Sequence, residues 1–509
     1  MSRLTIFSKE LIIRHFFLEK GEEVFIMKLI KKIVGLNYSP EKIYQNILFA
    51  LVVLILAAAC FPTMGKETEL YEYKVGENMP ADIFGRQFDA WQKGQIELDL
   101  PVDRRLAELE NPYDPTARKE SGARYYWDYA YFEGKYFSYF GIAPIITVHA
   151  PIHAATGKLP NVPLTCLILA IAAVVMTALA YREVVLRFIQ KPNLWLFLLG
   201  LAGVVSASGV YLGVLCSDMY YVAVLSAQVF SMAFIALAVR SMREEKLWAR
   251  MIMLVLAALS LTLTVWSRPT VALMCVAVFP LFVEFIFKIR KETLKDGLLT
   301  VASFALPLIA GAAAVMWYNN ARFGSPLNFG ANYQLTVSDV SLNTIDFKYL
   351  FSSFFSYFLC PIWSSDLFPY LEMHRVTVLP QGSKYFYTDR YCGIFAYGLP
   401  LGILLYPRLS LIERLRGERD LAKSFVVAAT ALLALGVAFS DFCLGGVNMR
   451  YVYDISTIVA MISAAILVNL TEKSEGYAKP LSGIMTAALS LMSIWTNMGV
   501  VETIIKVLS

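Results

Sequence analysis

Pro163-Leu-Thr-Cys-Leu-Ile-Leu-Ala-Ile-Ala-Ala-Val-Val-Met-Thr-Ala-Leu-Ala-Tyr181 carries no charge until Arg182 ends it. As a helix, an apolar stretch of about 17–20 residues is long enough to cross a hydrocarbon core of roughly 30 Å. The pattern recurs near 45–62, 193–212, 219–240, 251–267, 270–287, 298–318, 390–407, 424–440, 452–470 and 480–498. Of the 509 residues, 57% are hydrophobic, 14% aromatic and only 17% charged, and the mean hydropathy is +0.56. That surplus of apolar surface calls for lipid, so the chain reads as an all-α polytopic membrane protein.

Two other apolar stretches are interrupted. Pro144, His149, Pro151 and His153 break 141–157, and Pro361, Ser364, Ser365, Asp366 and Pro369 break 349–370. Loop charge tests whether they cross. With the basic N-terminus inside, the connections holding Arg182/Arg187/Lys191, Arg240/Arg243/Lys246/Arg250, Lys288/Arg290/Lys291/Lys295, Arg408/Arg414/Arg416/Arg419/Lys423 and Lys473/Lys479 all fall on the cytoplasmic side. The short outer turns then keep only Arg268 and Arg450. Either interrupted stretch crossing alone would invert every later loop, so both are expected to be interfacial or re-entrant, leaving about eleven spans. Both crossing together would restore the orientation, which sets the expectation at about 11–13 helices.

The expected organisation is a basic cytoplasmic N-terminus (1–44), a first transmembrane helix (45–62), a large outer loop with interfacial helices (63–162), transmembrane helices over 163–318, a second outer loop with a re-entrant segment (319–389), and C-terminal transmembrane helices (390–498). Lys20-Gly21-Glu22-Glu23 precedes Met27, a second candidate start beside Met1. The net charge of +5 reflects topology rather than nucleic-acid binding. The seven Cys show neither a disulfide framework nor a zinc spacing and read as small buried hydrophobes, with Cys360, Cys392 and Cys443 nearest the outer face.

Ionisable residues in or beside spans are the first places to look for chemistry. Asp218, Arg268, Arg322, Asp441, Arg450 and Asp454 all fall at the outer boundary in this threading. Basic groups meeting carboxylates there suit a lipid-linked phosphate, whereas snorkelling and helix-end pairing would explain any one of them alone. In the first outer loop, Phe84, Phe88 and Trp91 recur at helical spacing, predicting a short amphipathic helix that Asp82 opens and Gly94 ends. Asp89 lies off that apolar face, toward water. Asp82 reads as a cap or as a base, and Asp128 leads into an aromatic stretch where a carboxylate can serve as a general base.

The carboxylate and helix of this loop, followed by Gly134-Lys135-Tyr136-Phe-Ser-Tyr139-Phe140-Gly141-Ile-Ala-Pro144, resemble the GT-C superfamily of polyprenyl-phosphate-sugar glycosyltransferases. The branch most similar is that of the protein mannosyltransferases and the lipid A aminoarabinose transferase. Trp317-Tyr-Asn319-Asn-Ala-Arg322-Phe-Gly324-Ser-Pro326-Leu-Asn-Phe329-Gly330 resembles a segment of bacterial members with this layout, and Asn448-Met-Arg450-Tyr451, continuing to Asp454, is similar to their Arg-Tyr element. The resemblance implies a GT-C-like bundle in the bacterial cytoplasmic membrane, N-terminus inside and active site outside. It implies transfer of a sugar from a polyprenyl-phosphate donor to a hydroxyl of a glycan, glycolipid or protein acceptor. The base would be Asp82, Asp128 or Asp89, the donor phosphate would meet Arg268, Arg322, Arg450 and Lys135, and Tyr136, Tyr139, Tyr451 and Asp454 would bind substrate. One departure stands out: the family's acidic pair before the first-loop helix is replaced near that place by Met79-Pro80, which leaves the three carboxylates as rivals.

His149 and His153 share a helix spacing, but the sequence supplies no third ligand, and no cofactor or metal is implied beyond the lipid-phosphate donor. There is no Walker loop, Rossmann GxGxxG or GxSxG elbow, which argues against nucleotide-bound donors. A transporter or flippase of a lipid-linked glycan also needs buried Arg and Asp, though no paired repeat is seen; a polymerase or ligase would use a diphosphate-linked donor instead.

Overall fold

The computed structural model describes residues 40–76, 80–381 and 386–508. Met27, most of the basic N-terminus and Met79 lie outside the described residues. The chain divides into two units, Met1–Val52 and Val53–Ser509. The first contributes, among the described residues, only the start of helix α1 (Pro40–Ala58), and the architecture below is that of the second.

Nine helices among the described residues are long and apolar enough to cross a membrane: α3 (Val162–Phe188), α4 (Leu194–Cys216), α5 (Met219–Ser241), α6 (Leu247–Val265), α7 (Pro269–Ile289), α8 (Leu294–Phe323), α10 (Leu421–Gly445), α11 (Met449–Lys473) and α12 (Ala478–Leu508). This is an all-α multi-pass membrane protein. Polar caps open these helices by accepting the orphan N–H groups of the first turn: Asn161 for α3, Asp218 for α5, Asp420 for α10 and Asn448 for α11. Helices α5 and α11 form the centre. In α11, 94% of the apolar window is buried, against 17% in α8, which is left for lipid to cover.

The stretch 390–407 reads as a continuous span but is not a long α-helix. Ile394–Tyr397 and Leu399–Leu405 are 3₁₀ turns that lead into the α-helix α9 (Tyr406–Leu415). Gly393, Gly398 and Pro400 account for the difference. Gly398 sits at φ +77°, and Pro400 lacks the N–H that an α-helix needs. The stretches 141–157 and 349–370 contain only short helical pieces, Ile145–His149 and Ala150–Thr156 in the first, Leu350–Phe354 and Phe355–Leu359 in the second.

The predicted amphipathic helix is present as α2 (Ile83–Gln92), with Asp82 accepting from Phe84 N and Gly85 N and with Gly94 at φ +72°. Strand β1 (Leu70–Glu72) pairs with β4 (Lys158–Pro160), tying the start of the first loop to its end. Between them β2 (Ala130–Phe132) and β3 (Lys135–Phe137) form a hairpin, and its Phe132 and Phe137 rings meet Phe323 at the end of α8, at 6.0 and 5.5 Å.

The basic connections gather at one end of the bundle and are met there by carboxylates. Arg250 bonds Glu292 at 2.6 Å, Arg187 bonds Asp420 at 3.2 Å, and Arg243 pairs with Glu183, Lys423 with Glu413 and Lys473 with Glu418. Following α5, α6, α8, α10 and α11 to their opposite ends brings together Tyr220, Val265, Arg322, Asp441 and Arg450, which line one cavity.

Candidate functional site

That cavity has a volume of about 560 Å³. Two close approaches bring the loops to it. A Cβ at Gly141 would stand 1.7 Å from the Trp266 carbonyl, so only glycine lets the first loop lie against the α6–α7 turn, where Ala143 N then donates to Trp266 O at 3.2 Å. Gly446, at φ +79°, does the same for the second loop: its Cβ would stand 2.2 Å from Tyr387 O, and Val447 N donates to that oxygen at 2.9 Å.

Asp128, Arg268, Arg322, Arg450, Tyr139 and Tyr451 all line this cavity, although they are scattered over more than three hundred positions of the chain. Asp128 adopts φ +55°, held by its N–H to Leu335 O at 3.1 Å, and is 6% exposed. Its Oδ2 accepts from the Tyr220 hydroxyl, while Oδ1 is buried with no hydrogen-bond partner among the described residues. A buried acceptor left open in this way is uncommon.

The three arginines differ in what holds them. Arg268, extended before Pro269 as the residue preceding proline must be, gives Nε and Nη2 to Asp454 Oδ2 at 3.1 and 2.5 Å, and the Thr270 hydroxyl joins them at 3.0 Å. Arg322 donates to Ser138 O and Asn319 Oδ1, both at 2.6 Å, lies 4.3 Å from the centroid of the Tyr318 ring, and keeps Nε without a partner among the described residues. Arg450 stands 4.0 Å from the centroid of the Tyr220 ring and 3.4 Å from the Tyr451 hydroxyl. Among the described residues, neither Arg322 nor Arg450 forms an ion pair with a carboxylate. Tyr139 stacks on Phe140 at 4.3 Å, and burial, reinforced by the charge of Asp128, keeps its hydroxyl protonated well above the usual tyrosine range.

The remaining candidates stand elsewhere. Asp82 caps α2. Asp89, expected toward water, is instead buried, accepting from the Tyr73 hydroxyl at 2.8 Å and pairing with Lys93 at 2.9 Å. The first loop folds back over both faces of α2, which a helical wheel cannot foresee. Lys135 is exposed and pairs with Glu97 at 2.7 Å, and Tyr136 is buried among Tyr126, Tyr129 and Tyr131. Asp454 lies beneath the cavity, reaching it through Arg268. His149 is buried with Nδ1 3.3 Å from Pro144 O, and His153 packs on Tyr73 and Phe88.

Sequence reading missed Tyr220. Its signal was present, because Asp218-Met-Tyr-Tyr221 places a cap and two aromatics where a span meets the interface. Also missed was a second, apolar hollow of about 340 Å³ lined by Trp91, Ile96, Ala314 and Trp317. It shares Ile142, Trp266 and Tyr318 with the main cavity.

No family model matches the chain, and no curated protein matches it. Two solved structures are similar. One is the crystal structure of the Archaeoglobus fulgidus oligosaccharyltransferase in the apo form, at 13% identity and a TM-score of 0.48, over 90% of this chain and 56% of that one. The other is the archaeal oligosaccharyltransferase AglB from Archaeoglobus fulgidus in complex with an inhibitory peptide and a dolichol-phosphate, at 12% identity and a TM-score of 0.43, over 91% and 56%. The chain therefore spans little more than half the length of either.

Proposed function

We propose that this protein is an integral-membrane glycosyltransferase that moves a sugar from a polyprenyl-phosphate donor to an acceptor hydroxyl. The observation that carries the reading is the composition of one cavity. It holds two arginines that, among the described residues, pair with no carboxylate, Arg322 and Arg450, beside a buried carboxylate, Asp128, one oxygen of which has no hydrogen-bond partner among them.

The chemistry follows from those groups. The acceptor O–H gives its proton to Asp128 Oδ1 as its oxygen attacks the anomeric carbon, and the C–O bond to the lipid phosphate breaks. Charge grows on the departing phosphate monoester, and Arg322 and Arg450 stabilise it, each contact being worth roughly 1.5–3 kcal/mol. Arg268, neutralised by Asp454, shapes the floor rather than meeting the phosphate. The apolar hollow under Trp91, Ala314 and Trp317 offers the isoprenoid tail a way out beside α8, the helix most exposed to lipid. Asp128 is preferred over Asp82 and Asp89 as the base because, of the three, it lines the cavity beside Arg322 and Arg450, whereas Asp82 caps α2 through Oδ1 and Asp89 is held by Tyr73 and Lys93. By the charge rule the cavity faces the outside of the bacterial cytoplasmic membrane. The acceptor would be a glycan, glycolipid or protein hydroxyl.

The test is reconstitution. Purified protein in liposomes, given polyprenyl-phosphate sugars labelled in the sugar and a mixed acceptor extract, should release polyprenyl phosphate and pass label to the acceptor. Movement of the lipid between leaflets with no sugar transferred would decide for a flippase, and release of polyprenyl diphosphate from a diphosphate donor would decide for a polymerase or ligase.

A further inference from the structure

Asp441, near the end of α10, is a second carboxyl group in the cavity that the mechanism above does not use. It is nine-tenths buried, and among the described residues its Oδ2 has no hydrogen-bond partner and it enters no ion pair. The guanidinium that could have answered it is committed elsewhere, since Arg268 and the Thr270 hydroxyl both bond Asp454. A buried carboxyl group left open is unfavourable until something entering the cavity supplies donors.

The wall around it narrows what that ligand is. Phe386, Tyr387, Tyr451 and Asn343 line the same cavity. Phe386 is held between the Tyr349 and Phe442 rings, at 4.8 and 5.4 Å. Tyr387 is fixed by the Val447 N–H on its carbonyl, an approach that Gly446 permits. A phosphate is disfavoured beside a carboxyl group whose neighbouring guanidinium, Arg268, is already bonded to Asp454. A sugar ring answers both features, because its hydroxyls donate to carboxyl oxygens while its C–H face lies on aromatic rings.

We infer that Asp441 binds hydroxyl groups of the donor sugar and determines which sugar the cavity accepts, a role that rests on the glycosyl-transfer reading above. Asp128 and Asp441 then divide the work: one takes the acceptor proton, the other selects the donor.

The experiment is a binding comparison with full-length protein in lipid nanodiscs, titrated with undecaprenyl phosphate and with undecaprenyl-phosphate glucose, mannose and galactose. Wild type should bind at least one glycosylated lipid more tightly than the bare one. Asp441→Ala and Asp441→Asn should weaken that binding roughly 10- to 100-fold and leave undecaprenyl phosphate affinity unchanged. Asp441→Asn keeps the shape of the side chain and should unfold at the wild-type temperature. Equal loss for both kinds of lipid, or an undiminished preference for the glycosylated one, overturns the inference while leaving the proposed function standing. A wild type that binds bare and glycosylated lipids alike also overturns the inference, and the reconstitution assay decides the proposed function separately.

Discussion

The Tyr220 ring faces Arg450, whose guanidinium carbon lies 4.0 Å from the ring centroid, while the Tyr220 hydroxyl donates to Asp128. One side chain therefore touches both the candidate base and an arginine of the proposed phosphate site. Its place is set by the Asp218 cap, which holds the Tyr220 N–H at 2.9 Å.

Two substitutions separate these contacts. Tyr220→Phe keeps the ring under Arg450 and removes the donor that orients Asp128, so kcat should fall about tenfold with donor KM unchanged. Tyr220→Leu also removes the cation–π contact, worth about 0.5–2 kcal/mol, and should raise donor KM a further 2- to 30-fold. Identical kinetics for the two variants would show that the stacking does not help hold the donor.

Replacing each candidate base by its amide gives the second prediction. Asp128→Asn should lower the rate of polyprenyl phosphate release by roughly 10²–10⁴ while donor binding persists. Asp82→Asn should be near neutral, since Asn caps a helix as well as Asp. Asp89→Asn leaves Lys93 and Tyr73 less well matched, so it should lower the unfolding temperature and spare kcat. Near-normal turnover in Asp128→Asn would exclude this mechanism.

The same three carboxylates show what the sequence can and cannot convey. Helix α2 was legible because its signals are local: a cap at Asp82, apolar residues at helical spacing, and Gly94 past the end. The burial of Asp89 was not, because it depends on Tyr73, from a segment beyond the helix. Lys135 and Tyr136 read as part of the entry to the membrane, yet Glu133 and Gly134 both take positive φ, +48° and +76°, and turn the chain into a hairpin. Lys135 is left at its exposed tip, and Tyr136 is turned into the aromatic cluster. Arg322 and Arg450 share an outer boundary in the sequence, and Asp128 joins them there only through the family resemblance. Their common cavity depends on the Gly141 and Gly446 approaches, which pattern and composition do not reveal.

Arginine geometry is tested by lysine. Arg322 divides its donors between Ser138 O and Asn319 Oδ1, a fork that one ammonium cannot reproduce. Arg322→Lys and Arg450→Lys should each lower kcat/KM for the donor about 10- to 150-fold. Lys135→Gln, which disturbs only an exposed pair with Glu97, should leave it unchanged. Wild-type kcat/KM in both lysine variants would remove these arginines from the phosphate site.

The Arg268–Asp454 pair makes a prediction about stability. Breaking a buried pair strands one charge and costs about 3–5 kcal/mol, whereas removing both charges costs far less. Arg268→Gln and Asp454→Asn should each lower the unfolding temperature in detergent, and the double variant should recover most of the loss. Additive losses would mean that the two side chains are not coupled as their 2.5 Å contact implies.

The apolar hollow predicts discrimination by chain length. Ala314, on α8, lines it together with Trp91 and Trp317, and the space of about 340 Å³ is small enough that one added indole obstructs much of it. Ala314→Trp should therefore raise KM for a long undecaprenyl-phosphate sugar while leaving KM for a two-isoprene analogue unchanged, because the short chain ends before the obstruction. The kcat for the short donor should also hold, since Asp128, Arg322 and Arg450 line the other cavity, which shares Ile142, Trp266 and Tyr318 with the hollow. If KM rose equally for both donors, the substitution would have disturbed the shared Trp266 and Tyr318 wall instead of a tail path. If it rose for neither, the isoprenoid chain leaves the cavity by another route.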